Sequence, residues 1–161
     1  MKKILSNFIV LFIPWILLAG ANINDLLLGF LITMVLAWVI NEYLDFSFGS
    51  KFPIQVFKFV FIYIPYFMIQ LIKANIEVML IVLNPSLPIS PGFVKLSTNL
   101  TNDYSKLILA NSITLTPGTL TIDLDGENVY IHWINVMGET DTERKEKIFS
   151  GFENRLRGIF N

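Results

Sequence analysis

Leu109-Ala110-Asn111-Ser112-Ile113-Thr114-Leu115-Thr116-Pro117-Gly118-Thr119 reads as the end of a helix, a Pro-Gly turn and the start of a strand. Pro117 cannot continue a helix, because its ring fixes φ and it carries no N–H. It also drives Thr116 toward extended geometry. Gly118 then takes a positive φ at no steric cost, as the third position of a type II turn requires. Pro117 and Gly118 form a structural corner and not a catalytic one. Long apolar runs precede it, and short alternating segments follow it.

Beyond the corner, Thr119 to Leu124 alternates Thr and Asp with Leu120, Ile122 and Leu124, which predicts a half-buried strand with those three facing inward. Asp125-Gly126 is a hairpin signal. Asn128 to Ile134 returns as the partner strand, with Val129, Ile131 and Trp133 on one face and Tyr130, His132 and Ile134 on the other. His132 reads as a surface or cross-strand partner ahead of a pH sensor, since the chain has one histidine. A capping box of Thr140 and Glu143 opens the last helix. Its inner stripe is Ile148, Phe149, Phe152, Leu156 and Phe160, and Lys145, Glu146 and Lys147 form a solvated charged face.

On the near side of the corner, Thr101-Asn102-Asp103 offers N-caps for a helix through Leu115. Its predicted inner face carries Tyr104, Leu107, Ile108 and Leu115, with Asn111 among them as a structural amide. Phe93 to Leu100 is the first strand, with Val94, Leu96 and Thr98 alternating against Phe93, Lys95 and Ser97. The order β-α-β-β-α over residues 93–161 predicts a small α+β domain, a truncated split βαβ sandwich with both helices on one sheet face. So small a domain is near the lower limit for an independent core.

Residues 85–92, with Pro85, Pro88 and Pro91, form a stiff linker. Residues 1–84 are predicted to be an α-helical transmembrane module of about three helices, near 4–20, 23–44 and 54–83. Ala19-Gly20-Ala21 resembles a signal cleavage site, but the length of the preceding run favours a retained first helix. Asn24 or Asp25 is the expected cap of the second helix, and Asn41–Pro53 a loop at the membrane surface. The third run would extend about 45 Å as a helix, well beyond a hydrocarbon core of about 30 Å. It should therefore tilt, kink at Pro65 or project into water. Its polar residues Gln55, Lys58, Tyr66, Gln70, Lys73 and Glu77 share one helical face. Facing lipid would be costly for them, so they are the candidate subunit-docking residues.

Composition narrows the function classes. Of 161 residues, 53% are hydrophobic, above the roughly 45–50% of soluble domains; the mean hydropathy is +0.59. A net charge of −1 leaves no footprint for nucleic acid. Without cysteine there is no thiolate nucleophile, thiolate metal site or disulfide. The sequence holds no phosphate-binding Gly-rich loop, no HExxH and no nucleophile elbow. It predicts no enzyme, no cofactor and no small-molecule substrate for this chain alone.

Leu109 to Thr119, followed by Tyr130-Ile131-His132-Trp133-Ile134, closely resembles the signature of the E subunit of Mrp/Mnh-type multisubunit sodium/proton antiporters. The resemblance covers the whole chain. One departure is Asn135, in place of the acidic residue more common there. The resemblance implies an accessory and assembly subunit of a cation/proton antiporter, whose larger partner subunits hold the ion-translocating helices. It also implies a multi-pass location in a bacterial-type plasma membrane, with the C-terminal domain cytoplasmic. The alternative is a membrane-tethered adaptor that recruits a soluble partner through its tail.

Overall fold

The computed structural model describes residues 2–20, 22–43 and 51–160. Ala21 and the centre of the expected loop over Asn41–Pro53 lie outside the described residues. The chain divides into two compact units, Met1–Ile54 and Gln55–Asn161.

The first unit is a helical hairpin of α1 (Lys2–Ala19) and α2 (Ile23–Tyr43). Gly29, Thr33 and Ala37 recur every fourth residue of α2 and are its buried positions. Such a stripe of small side chains lets two apolar helices approach closely without help from water. A Cβ on Gly29 would collide with the Trp15 indole, and that indole N–H donates to the Asp25 carbonyl at 2.9 Å. Phe8 and Phe30 meet edge to face at 5.2 Å. Outward-facing Leu27, Leu31 and Val35 are exposed. The second helix begins earlier than Asn24 or Asp25 would allow as caps. Asn22 precedes it, and the Leu26 N–H donates to the Asn22 carbonyl at 2.9 Å.

A long helix, Phe52–Leu83, follows and belongs to the second unit from Gln55 onward. It comprises α3 (Phe52–Lys58), a π-helical turn (Phe59–Tyr63) and α4 (Ile64–Leu83). The Ile64 N–H donates to the Phe59 carbonyl, five residues back. Pro65 follows at once, and its ring would clash with the carbonyl of a regular preceding turn. A widened turn is one way to accommodate that demand. By length and composition α2 and the long helix are each able to cross a membrane, and Ile4–Ala19 is a shorter apolar helix.

There follow β1 (Gly92–Ser97), α5 (Asp103–Leu115), β2 (Thr119–Asp125) and β3 (Asn128–Trp133). The C-terminal helix, residues 141–160, is α6 (Asp141–Lys145), a second π turn (Glu146–Ser150) and α7 (Gly151–Phe160). The sheet is antiparallel in the order β1-β3-β2. Val94 pairs with Ile131 and Leu96 with Val129. These four and Trp133 enter one buried cluster with Leu109 and Ile113 of α5 and Phe149, Phe152 and Leu156 of the C-terminal helix. Asn102 caps α5, accepting from the Tyr104 N–H at 2.9 Å.

Two predicted faces are turned round. In β2, Leu120 pairs with His132 and is exposed, as is Ile122; the register shift between Thr121 and Asp123 then turns Leu124, of the three, onto the core. Thr119 and Thr121 point at α5 instead, donating to the Ile113 and Ala110 carbonyls at 2.7 and 3.1 Å. A bulge inserts one unpaired residue and flips the alternation that follows. In α5 the buried residues are Ser105, Leu109, Ser112 and Ile113. Tyr104, Leu107 and Leu115 are exposed, and so is Asn111. Ser112 lies inside because its hydroxyl meets one brought by the long helix.

Candidate functional site

The long helix lies along the sheet domain, and the seam between them gathers most of the polar residues picked out by sequence. The seam starts at Lys58, whose ammonium donates to the Gly158 carbonyl at 3.3 Å. Tyr63, buried among the core residues, places its hydroxyl 2.5 Å from the Ser112 hydroxyl. Ser112 also donates to the Ile108 carbonyl at 2.7 Å. Removing only the phenol oxygen therefore leaves Ser112 bonded. Tyr63→Phe is expected to cost about 1 kcal/mol, and Tyr63→Ala about 3–5 kcal/mol through the cavity it opens. Urea unfolding of the detergent-solubilised chain carrying Trp15→Phe and Trp38→Phe, followed by Trp133 emission, checks both values.

One turn further, the Arg155 guanidinium lies 3.4 Å over the centre of the Tyr66 ring. Arg155 also donates to the Gly151 carbonyl at 2.9 Å, and Phe152 meets the Tyr66 ring edge-on at 5.4 Å. A side chain at Gly151 would run into the Tyr66 hydroxyl. Glycine there allows the two helices to close on each other. A cation held flat against an aromatic face is attracted by the ring quadrupole, more strongly once desolvated.

Farther along, Gln70, Lys73 and Glu77 line a cavity of about 240 Å³ with Thr116, Trp133 and Lys147. The corner borders it. Gly118 has φ of 93°, and the Thr119 N–H reaches the Thr116 carbonyl at 3.4 Å across the turn. Gly118 also accepts the Ile134 N–H at 2.9 Å, which ties the corner to the end of β3.

Of the six stripe residues, Lys58 and Tyr66 thus meet this chain's own C-terminal helix. Gln70, Lys73 and Glu77 face the cavity beside its corner, and Gln55 is half-buried near the start of the helix. His132 stacks edge to face on Phe93 at 5.2 Å. Asn111 lines an apolar groove of about 370 Å³ with Ile64, Met68, Ile108 and Leu115.

Glu153 was not singled out by sequence. Its carboxylate, 3% exposed, accepts from Thr98 Oγ1 at 2.8 Å and from the Asn99 N–H. It pairs with Lys145 at 2.8 Å, so Lys145 is not part of a solvated face. Burial pushes the carboxyl up, but Lys145, the Asn99 amide and Thr98 together outweigh it and hold it below its ordinary value of 4.5. Its i,i+4 neighbour Phe149 is apolar and its charge partner lies eight positions earlier, which hid the role. The Thr140 hydroxyl accepts the Glu143 N–H at 3.3 Å, and the Glu143 carboxylate takes the Glu139 N–H, one residue before the expected capping-box partner. Among the described residues no group of three or more His, Asp or Glu is placed to hold a metal ion.

The sequence model of the Na+/H+ ion antiporter subunit family (MNHE) matches residues 8–159. The Na(+)/H(+) antiporter subunit E1 of Staphylococcus haemolyticus is 37% identical over 98% of this chain and 96% of its own length. The subunit E1 of Staphylococcus aureus strain JH9 is 32% identical over the same shares. A chain in the structure of the membrane-bound sulfane sulfur reductase (MBS), an archaeal respiratory membrane complex, superimposes with a TM-score of 0.82. It is 41% identical, with 99% of this chain and 100% of that one covered. The chain described here belongs to the E-subunit family of Mrp/Mnh-type Na+/H+ antiporters.

Proposed function

We propose that this chain is an accessory and assembly subunit of a multisubunit cation/proton antiporter in the cell membrane. In this reading it supports sodium efflux and pH homeostasis, and its sheet domain lies in the cytoplasm. The carrying observation is that the charged and aromatic groups of the long helix serve this chain's own fold: Lys58 holds Gly158, and Tyr66 stacks under Arg155. Such groups build a scaffold. The larger partner subunits then hold the ion path, and Gln70, Lys73 and Glu77, which open onto the cavity, are the docking residues.

Replacing Gln70, Lys73 and Glu77 together by leucine is expected to leave the protein in the membrane and abolish co-purification of its partners. A single hydrogen bond contributes only about 0.5–1.5 kcal/mol net, so each single replacement should be tolerated. Replacing the exposed Phe57, Phe61 and Ile72 by leucine should leave assembly intact. Sodium-dependent proton exchange in vesicles should fall in step with assembly. An intact complex with altered ion selectivity would reject the docking role and assign these residues to the ion path.

The 41% identity to a chain of a respiratory membrane complex favours a second reading, in which the same scaffold serves a membrane-bound respiratory assembly. The co-purifying proteins separate the two. Redox-cofactor subunits among them would favour the respiratory assembly, and ion-translocating subunits alone the antiporter.

A further inference from the structure

We infer that the long helix Phe52–Leu83 does not cross the bilayer but lies in its surface plane, carrying the sheet domain on its water side and sinking its opposite face into lipid. This rests on the membrane location proposed above and adds how the chain meets the membrane.

The first observation is the length of the seam. Contacts to the sheet domain begin at Lys58, which bonds Gly158. They continue through Tyr63, Tyr66 and Phe67, which pack on Phe152. They end at Val78, whose methyl carbon lies 3.4 Å from where a Gly118 Cβ would be. From Lys58 to Val78 a helix rises about 30 Å, the whole thickness of a hydrocarbon core. If this helix spanned, the sheet domain would lie beside it inside the bilayer, with Arg155 on Tyr66 and Lys147 at the cavity. Charged groups at that depth are costly, and the open edges of a sheet are not tolerated in lipid.

The second observation is what the opposite face offers. Phe57, Phe61, Met68, Ile72 and Met79 are exposed large apolar side chains, with Phe61 at 63%. The one amide among them, Asn75, is satisfied by the Leu71 carbonyl at 2.7 Å. This apolar surface does not stop at the helix. Across the groove of Ile64 and Met68 it continues onto half-buried Ile108 and exposed Leu115 of α5. A helix with one apolar side and a polar cover lies in the interface, its apolar face about 5–10 Å deep.

The third observation is continuity. Only residues 44–51 separate Tyr43, the end of α2, from Phe52, a reach of at most about 32 Å. Two spans, α1 and α2, return the chain after α2 to the side on which α1 begins. Lys2, Lys3 and Lys51 share that side, and the turn at residues 20–25 carries no Lys or Arg, as the positive-inside tendency asks. A three-span chain would put Lys2 and Lys3 across the membrane from the sheet domain.

The chain contains no cysteine, so single cysteines report position directly in membranes holding the assembled complex. A membrane-impermeant maleimide should label Lys51→Cys, Asn84→Cys and Glu127→Cys from one side, and Asn24→Cys from the other. Spin labels at Phe57→Cys, Ile72→Cys and Met79→Cys should report one shallow depth and be open to oxygen in lipid. In a spanning helix the depths at Phe57 and Ile72 would differ by about 22 Å. Labelling of Lys51→Cys and Glu127→Cys from opposite sides overturns the inference, as does a depth that changes along the helix. Labels closed to oxygen also overturn it, because another protein and not lipid would then cover the face. Retention in carbonate-washed membranes tests the membrane location separately, so its failure is distinguishable from these.

Discussion

Glu153→Leu is expected to destabilise the sheet domain by about 3 kcal/mol, a large fraction of the 5–15 kcal/mol that holds a typical domain. The carboxylate collects three partners, and its loss strands the Thr98 hydroxyl, the Asn99 N–H and the Lys145 ammonium. Lys145 keeps 19% of its side chain in contact with solvent and turns toward water, which sets the cost at the lower end of the range for a broken buried pair. Glu153→Gln retains the shape and some hydrogen bonding, so it should cost less, about 1–2 kcal/mol. The difference between wild type and Glu153→Gln should depend on pH in a fixed direction. A carboxyl held below 4.5 in the fold adds stability that is fully present above 4.5. That stability is lost as pH falls through the folded value. The gap should therefore be flat around neutrality and close under acid. Urea midpoints read from Trp133 emission in the Trp15→Phe, Trp38→Phe background across pH test it, and a gap that widens on acidification would contradict the assigned charge state.

Gly118→Val should be nearly as damaging, at about 3 kcal/mol. Gly118 has φ of 93°, where a non-glycine residue is strained by about 1–3 kcal/mol and a β-branched one is least tolerated. A Cβ would also lie 3.1 Å from the Ile134 methyl carbon and 3.4 Å from that of Val78. Overpacking of this kind adds about 1–3 kcal/mol where the neighbours cannot move. Gly118→Ala should fall between wild type and valine. A valine variant within about 0.5 kcal/mol of wild type would show that the corner tolerates a side chain.

Much of the sheet domain was legible because its signals are local. Val94 and Leu96 alternate as a half-buried strand does, and Asp125-Gly126 joins β2 to β3. Thr140 caps the last helix, and Pro117-Gly118 ends α5. The failures came where the deciding contact lies far away in sequence. Tyr63 supplies the hydroxyl that makes Ser112 an inner residue, and with it the face of α5 turns away from Leu107 and Leu115. The bulge between Thr121 and Asp123 leaves no mark in the Thr/Leu alternation. The stripe from Lys58 to Glu77 was readable as one face, since helical periodicity shows which residues share a side. Periodicity carries no record of what lies opposite. Here Lys58 and Tyr66 meet the chain's own last helix.

The bond from Lys58 to Gly158 joins residues 100 apart, and this has a consequence for biosynthesis. The ribosome delivers the N-terminal part first, so the long helix emerges well before the segment that covers Lys58, Tyr63 and Tyr66. Phe152, Arg155 and Phe160, which meet its aromatic side, are made long after it. While translation continues, the nascent helix has only the membrane surface or a chaperone to shield its apolar flank. A premature stop before Phe152 would leave that situation permanent, yielding a helical hairpin with a sticky, uncovered appendage that quality control should degrade.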